Sequence, residues 1–179
     1  KAGEGKDVLI IEIGGTVGDI EGLPFLEAMR AMRMELGKKR SMNVHLTLVP
    51  YIKAAGELKT KPTQHSVGEL RRIGITPDMI ICRSEVSLDR EIKDKIAVSC
   101  GVEKNCVIES CDSQSIYQIP LSFLQQDILT PISETLDLGE LKVDMSEWNE
   151  VVKRVIAPTK SVKIAFVGKY LELKESYKS

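Results

Sequence analysis

The ten-residue stretch GELKTKPTQH concentrates two lysines, an amide and an imidazole. Lys59 and Lys61 precede or flank Pro62, which suits the first turn of a helix because its ring fixes φ. The free backbone N–H groups of that helix would then lie beside both ammonium groups, and Gln64 and His65 add donors in the same turn. The stretch predicts an anion site. A triphosphate has enough charge to use all of these groups, while a sulfate-sized anion and a solvated loop are the alternatives.

Acids and glycines are mixed in a second stretch, IIEIGGTVGDIEGLPF, which begins at Ile10. Glu12 ends a predicted buried strand, and an acid there can bind Mg²⁺ beside a phosphate because hard cations prefer oxygen ligands. Asp19 and Glu21 follow within ten residues. The pattern is neither GxGxxG nor GxxxxGK[ST], so an ordinary glycine turn with solvated acids is an equally good interpretation.

Three further charged residues lie where ligands of α/β proteins bind. Arg83 follows the apolar run MIIC, where its planar guanidinium could reach a phosphate or a base. Asp112 has the equivalent position after the next run, where it would contact a ribose or adenine or else cap a helix. Lys95 lies on a predicted helix, and its spacing alone predicts a solvated lysine.

The elements that position these residues alternate between strand and helix. Short apolar runs predict strands at Val8–Ile13, Val44–Val49, Met79–Cys82, Cys106–Ile108 and Val162–Val167. Helical spacing predicts Pro24–Lys38 ending near Gly37, Lys61–Ile73 ending at Gly74, and Leu88–Ser99 capped by Ser87. The alternation indicates an α/β fold, a mostly parallel sheet with helices on both faces. Ligands of such sheets bind beyond the carboxyl ends of the strands.

The pattern changes after Pro120. A helix is predicted at Leu121–Leu136, and a second at Ser146–Ile156, capped by Ser146 and with Trp148, Val152 and Val155 on one side. The segment APTKS, residues 157–161, is typical of a linker. A new strand is predicted to follow it.

Composition limits the classes of function. Lys plus Arg number 25 and Asp plus Glu 26, so we expect no general attraction to nucleic acid or to a membrane surface. No apolar run approaches the roughly 20 residues of a membrane span. Four cysteines without CxxC spacing favour buried free thiols in a reducing cytoplasm, and only two histidines make a histidine metal site a poor interpretation.

Together the motifs resemble the CTP synthase family. GGTVGDIE, KTKPTQHS, GITPDMIICRSE, SIYQIP and FVGKYLELKESYKS occur in the order and spacing of that family, from about Asp7 to Ser179. The resemblance implies a P-loop-NTPase-like amidoligase domain whose N-terminal part is missing, within a homotetramer that has its nucleotide sites at subunit interfaces. It assigns residues 1–140 to this domain, 141–161 to an interdomain linker, and 162–179 to the first strand of a truncated glutaminase domain.

Family members convert UTP to CTP: ATP phosphorylates the uracil 4-oxygen, and ammonia released from glutamine displaces the phosphate. Motif by motif, the resemblance implies that Glu12 binds Mg²⁺ and that Arg83 and Asp112 bind ATP. It implies that the triphosphate of UTP or CTP is bound by Lys59, Lys61, Gln64 and Lys95. It also implies that CTP, as feedback inhibitor, is recognised by Asp19, Ile20 and Glu21. Glutamine and GTP would act through the missing domain. The phosphate loop and the glutaminase nucleophile are expected outside this sequence, so we expect no catalytic residue here and an inactive fragment.

Two positions depart from the family pattern. Ser99 stands where members carry an aromatic residue near the pyrimidine, and Gln114 where an aspartate is common. A non-catalytic module that binds CTP or UTP for regulation or assembly is the alternative function. A ligase resembling dethiobiotin synthetase ranks lower, because GGTVGDIE would then have no role.

Overall fold

A computed structural model of the chain describes residues 3–165, 167–169 and 172. Its strands are β1 Val44–Leu48, β2 Tyr51–Ile52, β3 Glu57–Leu58, β4 Met79–Ser84 and β5 Val107–Cys111. Its α-helices are α1 Leu23–Leu36, α2 Lys61–Arg72, α3 Arg90–Cys100, α4 Ile119–Gln125, α5 Leu129–Leu136 and α6 Ser146–Ile156. None of these described helices is long and apolar enough to cross a membrane.

A three-stranded parallel sheet in the order β1-β4-β5 lies at the centre of the described fold. Val44 is opposite Met79, and Ile80 is opposite Val107, so all three strands start at one edge and end at the other. This confirms the predicted parallel α/β arrangement. A separate two-stranded hairpin, β2 and β3, lies between β1 and α2; strand prediction missed it because each strand has only two residues.

Helices pack on both faces of the sheet, as predicted. On one face, α2 and α3 enclose a cluster in which Val67, Ile80 and Ile96 are essentially inaccessible to solvent. On the other, Phe123 of α4 and Ile132 of α5 pack against a second cluster of Met79, Cys106 and Ile108. Successive β4 side chains lie on opposite faces of the sheet. Because helices cover both faces, the whole MIIC run is apolar.

The cap of α3 differs from the prediction. Asp89 Oδ1 accepts a hydrogen bond from the Ile92 N–H at 2.8 Å, whereas Ser87 donates its hydroxyl to the Glu109 carboxylate. A residue three positions before the donating N–H group has the geometry for capping, and Ser87 lies two positions too early. The end of α3 at Gly101 is as predicted, with a left-handed φ of 59°.

The predicted strand Val8–Ile13 is wrong in this structure. These residues form no regular element, and Ile10 is 90% exposed. An apolar run becomes a buried strand only where a neighbouring strand pairs with it and helices cover it, and the described residues provide no such pairing. Residues Ile13 and Val17 instead pack against a small cluster of Leu26, Leu70 and Ile75.

Two strands are longer or shifted relative to prediction. β4 extends beyond Cys82 to Ser84, and β5 starts at Val107 and continues to Cys111. The apolar runs mark only the residues that face the core, whereas inter-strand hydrogen bonds continue through polar residues. Arg83 therefore lies on β4 itself, paired with Ser110 of β5.

The single helix predicted at Leu121–Leu136 is two helices, broken between Gln125 and Leu129. Gln126 explains the break. Its Oε1 accepts the Glu109 N–H at 2.9 Å, and its Nε2 donates to the Glu109 carbonyl at 3.0 Å. The side chain thus satisfies the backbone groups of one residue on the open edge of β5, as a neighbouring strand would.

Helix α6 has the predicted bounds, but Ser146 does not cap it by its side chain. Asp144 Oδ1 accepts the Ser146 N–H at 2.9 Å instead, and Val155 of the predicted apolar side is 42% exposed. Of the predicted strand Val162–Val167, the described residues 162–165 and 167 form no strand, and residue 166 lies outside the described residues.

The cysteine prediction is confirmed for three thiols. Cys82, Cys100 and Cys106 are free and buried, and Cys111 is free and half-buried. Burial raises the pKa of the Cys82 thiol to about 11, and it also raises the pKa values of Cys100 and Cys106. These three thiols stay protonated at neutral pH and act as small apolar core residues.

His45 makes stability depend on pH. Its ring is buried, lies 2.8 Å from the Ser66 hydroxyl, and has a pKa lowered by burial. Because the unfolded pKa is higher, near 6.5, this contribution is complete above about pH 6.5 and is lost as pH falls through the native pKa. We expect the urea midpoint of the protein to fall between pH 7.5 and 5.5 by more than that of His45→Gln. Equal falls in both proteins would contradict the assignment.

Candidate functional site

The carboxyl ends of β1, β4 and β5 form one edge of the sheet, and most of the predicted site residues lie along it. After β1, the Val49 N–H donates to the Arg83 carbonyl at 2.8 Å, which continues the pairing with β4. The hairpin then returns to this edge, where the Lys59 N–H donates to the Pro50 carbonyl at 3.0 Å. This contact places the start of α2 directly after the end of β1.

The first turn of α2 presents an uncompensated positive region. Lys61 is exposed and has no ion pair or side-chain hydrogen bond within the described structure, and no side chain caps the helix. Lys59 is 46% exposed, and its Nζ lies 2.5 Å from Glu57 Oε1. Gln64 donates from Nε2 to Thr60 Oγ1 at 3.1 Å. The helix start at Lys61 is as predicted, and its uncapped amide groups belong to the same turn as Lys61; an anion site there stays a prediction.

Buried threonines fix the position of this turn. Thr63 is fully buried, and its Oγ1 lies 3.0 Å from Thr47 Oγ1 and 3.3 Å from the Leu48 carbonyl. A hydroxyl buried between helix and sheet stabilises the fold only when it is hydrogen-bonded. The two threonines thus hold the amino end of α2 against β1, which pre-organises the lysines beside it.

Lys95 shares a cleft with the hairpin. The cleft has a volume of about 400 Å³, and its lining includes Tyr51, Leu58, Ile92 and Lys95. Glu57, the partner of Lys59, also lines it. The structure therefore brings Lys95 to the same side as Lys59, although the two residues are far apart in sequence.

Arg83 and Asp112 meet at the ends of β4 and β5, where their side chains form an ion pair. Arg83 Nη1 also donates to the Ser110 carbonyl at 3.3 Å, and the Asp112 N–H donates to the Ser84 carbonyl at 3.1 Å. Asp112 is not a helix cap, because Ser115 caps the following turn. The pair lies beside an open cleft of about 260 Å³, which Asp112 itself lines.

Sequence reasoning missed part of this second cleft. Its walls are β5, α4 and, through Val152, helix α6. Trp148 of α6 donates from Nε1 to the Tyr117 carbonyl at 2.9 Å, and their ring centroids are 5.8 Å apart. The spacing of Trp148 and Val152 predicted an apolar side for α6, but no sequence signal showed what that side contacts.

The glycine-rich stretch lies elsewhere. Ile13 and Val17 pack against a cluster of Leu26 of α1 with Leu70 and Ile75. Leu70 lies near the carboxyl end of α2, whereas Lys61 begins that helix, roughly 13 Å away along its axis. Glu12 adjoins Ile13 and is exposed. Within one chain, the contacts do not bring Glu12 to the lysines.

The residues expected to recognise CTP belong to the same stretch. Asp19, Ile20 and Glu21 are exposed just before α1, and Ile20 is 83% exposed. No contact of the described chain joins these three residues to Lys59 or Lys61.

Glu12 would provide one carboxylate ligand to a Mg²⁺ ion. Across the described ranges, no three His, Cys, Asp or Glu side chains group into a metal site. Mg²⁺ does not need such a group, because it is commonly bound by one or two carboxylates together with phosphate oxygens and water. The backbone passes near Glu12, since a Cβ on Gly14 would lie 4.0 Å from Oε1. The oxygen donor at Glu12 fits a cation that a phosphate also binds.

Comparison with known proteins decides the family. A family model described as "CTP synthase N-terminus" matches residues 1–138, more than half of the chain. The chain belongs to the CTP synthase family. This confirms the resemblance drawn from GGTVGDIE and KTKPTQHS, and it disfavours a ligase of the dethiobiotin synthetase kind.

Relatives named CTP synthase are similar along nearly the whole chain. The protein of Campylobacter jejuni (strain RM1221) is 78% identical over 179 residues, which are 100% of this chain and 33% of that protein. That of Nautilia profundicola is 65% identical over 173 residues, 97% of this chain and 32% of that protein. That of Helicobacter hepaticus is 60% identical over 178 residues, which are 99% of this chain and 33% of that protein. The chain spans about a third of the length of these CTP synthases.

Proposed function

We propose that this chain is part of an enzyme that makes CTP from UTP, ATP and ammonia through a UTP phosphorylated at the uracil 4-oxygen. One observation carries the proposal: two charged features that suit nucleotide binding lie on the same edge of the sheet. The cationic first turn of α2 follows β1, and the Arg83–Asp112 pair lies at the ends of β4 and β5. Phosphoryl transfer between two nucleotides depends mainly on positioning and on charge neutralisation.

The triphosphate of UTP is assigned to Lys59, Lys61, Gln64 and Lys95. Lys61 is available without breaking an ion pair of the described structure, whereas Lys59 must exchange Glu57 for a phosphate. Carboxylate and phosphate both accept charge-assisted hydrogen bonds, and a triphosphate carries more negative charge than the single carboxylate of Glu57. Asp19, Ile20 and Glu21 are assigned to recognition of CTP as feedback inhibitor.

The second cleft is assigned to the base and ribose of ATP. Ile119, Leu121 and Val152 provide apolar walls, and Ser113 and Gln125 provide polar groups at its margin. This combination suits a purine, which has apolar faces and hydrogen-bonding edges. The Asp112 carboxylate would repel phosphates but can accept a hydrogen bond from a ribose hydroxyl. Arg83, which pairs with Asp112 in this structure, would exchange that carboxylate for the anionic side of the nucleotide.

Mg²⁺ is assigned to Glu12 and, when bound, would neutralise charge on the phosphate oxygens. Ile13, the neighbour of Glu12, packs on a cluster that includes Leu70, near the opposite end of α2 from Lys61, and this supports a nucleotide site built from more than one subunit. A homotetramer with interfacial sites, as the family resemblance implies, would allow residues of different chains to meet at one nucleotide.

The remaining assignments of the proposal concern the longer protein. Residues 1–140 would belong to the amidoligase domain, 141–161 to a linker, and 162–179 to the start of a glutaminase domain. Glutamine and GTP would act through that glutaminase domain. The longer protein would be located in the cytoplasm. The 179-residue piece alone would then make no CTP, because the ATP phosphate loop and the glutaminase nucleophile would lie outside it.

The assay for CTP formation tests the proposal. The full-length protein is incubated with UTP, ATP, Mg²⁺ and ammonium chloride, and nucleotides are separated by ion-exchange chromatography. Supplying ammonia directly bypasses the glutaminase. We expect stoichiometric CTP and ADP, and no CTP when ATP is left out. Saturable binding of CTP without any turnover would instead establish the regulatory or assembly module.

A further inference from the structure

Helix α6 closes one side of the cleft beside Asp112. Val152 is the buried residue of this helix, with 5% of its surface exposed, and it lines the cleft opposite residues of β5 and α4. An apolar side chain at this position excludes water from one wall of the cleft. The cleft is therefore complete only while α6 is docked.

Docking of α6 depends on few contacts. Within the described residues, the Trp148 Nε1 bond to the Tyr117 carbonyl is the side-chain hydrogen bond that joins α6 to another element. The two rings add a tilted aromatic contact, with 58° between their planes. The other polar contacts of α6 are local, such as the pair between Lys153 and Glu150. Exposed segments precede and follow the helix.

The partner of Trp148 is itself part of the cleft structure. Tyr117 lies in the single turn Ile116–Gln118, which Ser115 fixes by a capping box with Gln118. Gln118 lines the cleft. The Trp148 contact is thus connected to the cleft wall through one hydrogen-bonded turn.

We infer that α6 is a movable wall of the nucleotide cleft and that Trp148 is a positioning residue that sets the affinity for the nucleotide bound there. This rests on the proposed function, since it takes the cleft to bind the base of ATP. With α6 docked, Val152 covers an apolar face of the base. With α6 undocked, that face meets water and the nucleotide dissociates faster.

The first test is the kinetics of Trp148→Ala in the full-length protein. We expect the KM for ATP to rise about tenfold, the size expected when one aromatic contact and one neutral hydrogen bond are lost. The kcat and the KM for UTP should change by less than about twofold, because only ATP uses this cleft. Trp148→Phe keeps a ring but not the N–H donor and should have an intermediate KM. Lys153→Ala, on the same helix but away from the cleft, is the matched control.

The second test uses the fluorescence of Trp148, the only tryptophan of this chain. The emission of Trp148 is obtained by subtracting the spectrum of Trp148→Phe from that of the unmodified protein. The intensity of this difference spectrum should change with ATP concentration until it saturates, and it should not change with UTP. This measurement remains decisive if Trp148→Ala fails to fold. An ATP KM in Trp148→Ala equal to that in Lys153→Ala, or Trp148 emission indifferent to ATP, would overturn the inference. Absence of CTP formation by the unmodified protein would instead overturn the proposed function.

Discussion

Replacing Lys59 and Lys61 together with alanine is expected to lower kcat/KM for UTP by at least about 100-fold, since each charge-assisted contact to a phosphate is worth roughly 1.5–3 kcal/mol. Both ammonium groups lie at the uncapped first turn of α2, and no other described lysine replaces them there. The loss should fall mainly on the KM for UTP, because the triphosphate is bound in the ground state and in the transition state alike. Steady-state CTP formation at varied UTP measures it.

The matched control is Lys38→Ala with Lys39→Ala, which removes the same charge from the turn before β1. Lys39 pairs with Asp137 and is 79% exposed, at the edge of the sheet opposite the proposed site. This control should retain nearly full activity. Comparable losses in the two double variants would mean that net charge, rather than a specific triphosphate contact, determines UTP turnover.

Replacing Asp78 with alanine is expected to destabilise the fold by about 2–3 kcal/mol, because it leaves a largely buried guanidinium unpaired. Arg33 donates to both carboxylate oxygens of Asp78, at 2.6 and 2.7 Å, and the Asn43 N–H donates to the same carboxylate at 2.7 Å. The side chains of Arg33 and Asp78 are only 16% and 22% exposed. Urea unfolding of the full-length protein, followed by circular dichroism, measures the change.

Glu69→Ala provides the comparison, since it removes a surface ion pair with Arg72 and should cost no more than about 0.5 kcal/mol. Adding Arg33→Met to Asp78→Ala should recover part of the loss, because the second change removes the unpaired charge. Equal losses in Asp78→Ala and Glu69→Ala would show that the Arg33–Asp78 contact does not hold α1 to the sheet.

Local sequence determined the helices, whose backbone hydrogen bonds are made within one segment of the chain. Proline in the first turn and glycine after the last turn bounded α2, and φ at Gly74 is 84°, a conformation that favours glycine. The alternation of such helices with apolar runs was sufficient to predict a parallel sheet. For the same reason, the cationic first turn of α2 was predictable, since Lys59, Lys61 and the helix start are adjacent in the chain.

Contacts between distant residues were not predictable in this way. Nothing near Gln126 in sequence indicates that its amide replaces a strand along the edge of β5, and so the break between α4 and α5 was missed. Val8–Ile13 shows the converse, because its apolar character predicted a buried strand that requires a partner strand to form. Hydrogen bonds between strands depend on what lies alongside, which a linear pattern does not contain.

The sequence by itself determined the parallel α/β fold, the family and the cationic turn of α2, because each depends on residues that are close in the chain or on motifs read whole. Only the tertiary structure decided that Arg83 pairs with Asp112, that α6 forms a wall of the adjacent cleft, and that Ile13, beside Glu12, packs near the end of α2 remote from the lysines. The physical reason is that these relations are set by packing and by strand order, where a few long-range contacts outweigh local preference.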